Sequence, residues 1–153
     1  MANEEIRLGG APALFGSLRP RVGYQTVPIE LAFDWSRCLR DVDRGTWYVV
    51  AFRSQRRPGA DSARIELLDD LAFEEASRAG GLITYFKGAL DEQGRCLSVC
   101  VWEDRDRARR TVTASAHREA AAITHEMYVW YRLERRLLRK AAGSGTLEWT
   151  PLS

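Results

Sequence analysis

Lysine is nearly missing from this sequence. All but two of its 23 basic residues are arginines, the exceptions being Lys87 and Lys140. The 21 acidic residues are interleaved with them, so the formal net charge is only +2. Without a one-sided field, nucleic acid and anionic membranes are excluded as partners held by bulk charge. Cysteine is scarce as well. Cys38, Cys96 and Cys100 form no CxxC pair, and three thiols cannot all pair internally. They read as reduced cysteines of a cytoplasmic protein. The two histidines, His117 and His125, lie eight apart rather than at the three- or four-residue spacing of helical metal ligands, so no metal site is expected. No run approaches the ~20 apolar residues of a membrane span. The first twenty residues, with acidic side chains early, lack the apolar stretch of a secretion signal. There is no G-x-S-x-G, no Gly-rich phosphate loop and no dinucleotide fingerprint, so no nucleotide cofactor is expected.

What is present is enough for one domain with a real core: 153 residues, 45% of them hydrophobic. Residues 1–33 are rich in Gly and Pro and read as an irregular arm, docked through apolar residues such as Phe15, Tyr24 and Ile29. Asp34 or Ser36 caps a short helix that turns Trp35 and Leu39 inward. Trp47–Arg53 is a strand, apolar on both faces until Arg53 and therefore central. After the loop RRPGADS, Asp61 or Ser62 opens a helix of roughly 18 residues, with an apolar line through Leu68, Leu71, Ala72, Ala76 and Ala79. Gly80 and Gly81 end it. Leu82–Ala89 and Arg95–Trp102 form a hairpin around the turn DEQG. A helical region follows from Asp104 or Asp106 to about Glu126, bent near Thr113–Ser115. Tyr128–Arg139 alternates apolar and charged residues as a fourth strand, and the end from Ala142 reads as an irregular tail. The domain proper is residues 34–141, between the arm (1–33) and the tail (142–153).

The order β-α-β-β-α-β predicts an α+β, ferredoxin-like antiparallel sheet with both helices on one face. The other face is apolar and must be covered. A second copy of the sheet would cover it as a homodimer, a dimeric α+β barrel; the arm is the alternative. On the third strand, Leu97, Val99 and Val101 share one face, and Cys96, Ser98, Cys100 and Trp102 share the other. The aliphatic face reads as the one beneath the helices, which turns Ser98, Cys100 and Trp102 toward the barrel interior, where a few polar groups in apolar walls make a small-molecule site.

The runs FDWS, WYVVAFRS with RRP, GLITYFKG, GRCLSVCVWED, AHREA and EMYxxYxLER resemble an uncharacterised family of small actinobacterial and fungal proteins, over residues 33–140. The segment VWEDRDRARR…SAHREA is similar to the dimeric α+β barrel superfamily, which includes antibiotic-biosynthesis and haem-degrading monooxygenases. That resemblance implies an aromatic residue ending the third strand, matched by Trp102, an acidic helix start at Glu103-Asp104, and a late helix histidine at His117. The haem-degrading members add an asparagine on the first strand and a tryptophan on the second helix, and this sequence has neither.

The function these features predict is a cofactor-independent monooxygenase-like enzyme, or an isomerase or cyclase of natural-product biosynthesis, acting on an apolar or aromatic molecule in the barrel cavity. His117 is the candidate proton carrier, since a neutral imidazole suits that role near pH 7. Arg53 would hold a carboxylate, phenolate or enolate through its planar fork; a place at the strand's solvent rim is its structural alternative. Tyr85, Ser98, Cys100, Trp102 and Tyr128 would shape the substrate site, with packing against a partner as their plain alternative. His125 suits the C-terminal end of its helix. Two other readings stay open: a haem or other ligand carrier with His117 as axial ligand, and a module whose sheet only dimerises.

Overall fold

The computed structural model describes residues 4–9, 14–112 and 115–153, apart from the side chains of residues 112, 115–117 and 120. The elements are β1 (Glu5–Leu8), a 3-10 turn (Tyr24–Thr26), α1 (Ile29–Ala32), α2 (Trp35–Cys38), β2 (Gly45–Arg56), α3 (Ser62–Ala79) and β3 (Leu82–Lys87). They continue with β4 (Arg95–Trp102), α4 (Arg105–Val112), α5 (Ser115–Ala122), α6 (Thr124–Met127), β5 (Tyr128–Lys140) and β6 (Leu147–Leu152). All strands join one antiparallel sheet in the order β1-β3-β4-β2-β5-β6. The inner four, β3-β4-β2-β5, have the ferredoxin-like order expected of β-α-β-β-α-β. β2 sits at the centre because its β-branched and aromatic residues suit a pleated surface buried on both sides.

Period-two alternation divides β2 cleanly. Trp47, Val49 and Ala51 join one core cluster; Tyr48, Val50 and Phe52 join another on the opposite face. On β3 a bulge lies between Leu82 and Thr84. One extra residue resets the alternation, so that Leu82, Tyr85 and Lys87 share the helix-side face while Ile83 and Phe86 pack on the other. α3 begins where Asp61 Oδ1 accepts from the Arg64 N–H at 3.1 Å. It ends at Gly80 and Gly81, with φ of 83° and 87°, backbone that glycine adopts without Cβ strain.

The arm covers the second face. Phe15, Leu18, Tyr24, Phe33, Trp35 and Leu39 are buried against Val49, Leu97, Val99 and Val101. Phe33 lies edge-on to both Trp35 (5.4 Å between centroids) and Phe86 (4.8 Å), a geometry favoured by ring quadrupoles. Trp35 Nε1 donates to Ile29 O at 2.8 Å. Asp34, expected as a helix cap, instead accepts from the Arg19 N–H at 2.7 Å and ties the arm to α2. Of the two covers left open by the sequence, the chain's own arm therefore occupies the face. It is also less irregular than its composition suggests, since β1 extends the sheet beside β3.

The tail differs from expectation too. Residues Leu147–Leu152 pair with Arg135–Lys140 as the outermost strand, where Pro151 is tolerated because no further strand needs its N–H. Trp149 packs edge-on against Trp35 at 5.0 Å. The expected bend near Thr113–Ser115 involves residues 113–114, which lie outside the described residues; α4 ends at Val112 and α5 starts at Ser115. Among the described residues, no helix is long and apolar enough to cross a membrane.

Candidate functional site

A cavity of about 810 Å³ lies between the sheet and the crossover helices. It exists because the helices present small residues inward. Ala72 and Ala76 of α3, Ala108 of α4 and Ala121 of α5 line it, and methyl groups at these positions leave the space above the sheet unfilled. Strand register orders the floor in rows. Tyr48 stands level with Trp102 and Leu137; Val50 with Cys100 and Arg135; Phe52 with Ser98 and Leu133; Ser54 with Cys96 and Tyr131. Tyr85 continues the second row beyond Cys100.

The sequence reading separated the faces of β4 correctly but assigned them the wrong covers. Leu97, Val99 and Val101 lie under the arm, and Ser98, Cys100 and Trp102 look toward the helices. The bulky arm packs best on a smooth aliphatic surface, whereas the alanine-lined helices stand clear of the polar one. Tyr85, Ser98, Cys100, Trp102 and Tyr128 all line the same cavity.

The residue that sequence reasoning missed is Asp69. It projects from α3 into the cavity, where Oδ1 accepts from the Tyr85 hydroxyl at 2.7 Å. Lys87 Nζ lies 3.9 Å from Oδ2. Oδ2 itself is buried without a hydrogen-bond partner among the described residues. Burial pushes the carboxyl above the ordinary aspartate range, opposed by the Tyr85 hydrogen bond and the Lys87 and Arg7 charges. The same burial, reinforced by the Asp69 charge, holds the Tyr85 phenol far above its usual value, so it stays a donor. Phe73 stacks on Tyr85 at 6.0 Å and fixes the ring. The signal was there: Asp69 falls four residues after Ile65 and three before Ala72, on the inward face of an apolar helix. The expected apolar line was rotated slightly, for Leu71 is 39% exposed while Ile65 is buried.

Arg53 is a correction. It lies on the arm side of β2 and is only 5% exposed. Its Nε donates to Glu134 Oε2 at 2.9 Å, Nη1 to Gln25 O at 3.1 Å and Nη2 to Val27 O at 2.6 Å. Three bonds to one strand and two arm carbonyls make it a structural tether, remote from the cavity, because the alternation that turns Ser54 inward turns Arg53 outward. His117 belongs to α5, and its side chain lies outside the described residues. The His125 carbonyl accepts from Arg57 Nε at 3.3 Å.

The cysteines are poor nucleophiles here. Burial raises the Cys38, Cys96 and Cys100 thiols, Cys100 most strongly and with the Asp69 charge adding to the effect. Ellman's reagent at pH 8 is expected to modify the native thiols roughly tenfold or more slowly than in guanidinium-unfolded protein. Rapid labelling of Cys100 in the native state would contradict its protonated assignment.

Comparisons with solved structures agree with this architecture. Protein SO0527 from Shewanella oneidensis superposes with a TM-score of 0.54 at 16% identity, over 65% of this chain and all of its own. A "putative monooxygenase" from Lactobacillus acidophilus gives 0.52 at 12% identity, over 72% of this chain and 55% of that longer one. Protein NE2512 from Nitrosomonas europaea, of unknown function, gives 0.50 at 13% identity, over 65% and 93%. At these identities the likeness is one of fold alone, a ferredoxin-like α+β fold. No curated protein matches the sequence. A family profile described as PB2B2.08-like matches residues 11–151, most of the length, and the chain belongs to that family.

Proposed function

We propose that this protein is a monooxygenase-like enzyme that acts, without a nucleotide cofactor, on an apolar or aromatic carbon acid held between sheet and helices. The observation that carries this reading is the Asp69–Tyr85 pair in the cavity wall. A carboxylate with one oxygen oriented by a phenol and the other accepting no hydrogen bond, though 3.9 Å from Lys87 Nζ, is placed to accept a proton. Its raised affinity for that proton makes it a stronger base than ordinary aspartate. Aromatic and aliphatic walls from Tyr48, Phe52, Phe73 and Trp102 suit a flat, electron-rich substrate.

Removal of a proton from an activated methylene leaves a carbanion stabilised by its own aromatic system. Addition of dioxygen and loss of water then convert CH₂ and O₂ to C=O and H₂O, with no external reductant. Return of the proton to another carbon gives isomerisation or ring closure instead. Both outcomes begin with the same step. His117, on α5 four positions before the cavity-lining Ala121, is proposed as a second proton carrier for the later transfer.

Anthrone is a suitable probe. In air the protein is expected to produce anthraquinone well above the buffer rate; under nitrogen in D₂O it is expected to speed deuterium exchange at the probe's methylene. Background rates in both experiments would defeat this reading.

A further inference from the structure

We propose that the cavity selects substrates carrying a carboxylate, held by Arg105, Arg109 and Arg135 at the end remote from Asp69. This rests on the preceding reading that the cavity holds the substrate. Five side-chain cations line the cavity (Arg56, Lys87, Arg105, Arg109 and Arg135) against two side-chain carboxylates, Glu66 and Asp69, with Ser153 also in the lining, although the whole chain carries only +2. Lys87 is already engaged by Asp69. Among the described residues, Arg109 and Arg135 form no ion pair, whereas Arg105 is bonded through Nη2 to the Ser153 O atom at 2.9 Å. Arg105 Nε is buried without a hydrogen-bond partner, and Arg135 is half-buried. A half-buried guanidinium without counter-charge, as at Arg135, is costly, and an anionic ligand would remove that cost.

All three arginines line the same cavity. Arg135 stands opposite Leu152 in the sheet. Arg105 Nη2 donates to the O atom of the next residue, Ser153, at 2.9 Å. Arg109 follows Arg105 by one helical turn on α4. The row Tyr85, Cys100, Val50, Arg135 then runs across the floor from the Asp69–Tyr85 pair to this cationic corner. It crosses three strand spacings, about 14 Å between backbones. A fused-ring acid lying along that row has its anion at the arginines and its acidic carbon toward Asp69. Planar guanidinium forks pair with carboxylates through two parallel bonds, which fixes orientation as well as charge.

The test uses N-phenyl-1-naphthylamine, a neutral fluorescent reporter, displaced by either 1-naphthoate or 1-naphthylmethanol. The acid is expected to displace it at roughly tenfold lower concentration than the alcohol. That preference should vanish in Arg135→Gln and fall severalfold in Arg109→Gln, while the exposed Arg40→Gln retains it. Arg109 is exposed, so its variant carries the test if Arg135→Gln fails to fold. A bound reporter displaced equally well by acid and alcohol overturns the anion assignment and leaves the cavity reading intact. A reporter that does not bind at all defeats the cavity reading, and this inference with it.

Discussion

Replacing Asp69 with asparagine is expected to slow proton removal from a bound carbon acid by about 10²–10⁴-fold. The substitution keeps the shape of the side chain, and its carbonyl oxygen still accepts from the Tyr85 hydroxyl that now lies 2.7 Å from Oδ1. What is lost is the basic lone pair of Oδ2, which accepts no hydrogen bond. The wild-type rate should rise with pH through the raised Asp69 pKa, because only the carboxylate is a base. The asparagine variant should lack that limb. Stability moves the other way. In the folded state Asp69 holds its proton more tightly than the 3.8 of an unperturbed aspartate. Its contribution is therefore complete below that value and is lost as pH rises through the folded pKa. The variant should match wild type in acid and exceed its Tm at neutral pH, a gap that isolates Asp69 from the other carboxylates. Unchanged turnover in Asp69→Asn would transfer the base role elsewhere, and His117→Ala is then the decisive variant.

The sheet and its helices were legible in the sequence because local pattern and final environment agree. WYVVAFR is a central strand wherever it is placed, and the Asp61 cap and Gly80-Gly81 stop bound α3 on purely local grounds. The arm was harder. Its glycines and prolines signal irregularity and its apolar residues signal docking, but the surface on which Phe15 and Phe33 are buried is set by tertiary contact alone. Face assignment on β4 was read from polarity alone. The cover depends on which partner has the bulk to fill the surface, and that competition between the aromatic arm and the alanine-lined helices has no local signature. The β3 bulge was equally invisible; without its extra residue, Leu82 and Tyr85 would fall on opposite faces. Asp69 was legible in principle as a carboxylate on an inward helical stripe. Its neighbours Glu66, Asp70, Glu74 and Glu75 on the same helix give it no local mark that separates it from a solvated carboxylate.

Arg53→Met is expected to cost about 3 kcal/mol of stability, the low end for breaking a buried ion pair. The loss is moderated because Arg132, at 3.2 Å, and Arg136, at 3.9 Å, remain near Glu134 and keep its charge compensated. It is not abolished, because Gln25 O and Val27 O lose the donors that pin the arm to β2. Arg53→Lys keeps the charge but not the three-way fork, so an intermediate loss is expected. Denaturant titration gives the magnitude, and trypsin gives the location. A loosened arm should be cut faster after Arg21, before the tethered carbonyls, while the helices over the cavity keep their wild-type resistance. The uncovered face of Val49, Leu97, Val99 and Val101 should also promote self-association on size-exclusion chromatography, since an exposed apolar sheet surface seeks another. Wild-type stability together with wild-type cleavage in Arg53→Met would show that aromatic packing alone holds the arm, and that the fork at Arg53 adds nothing to it.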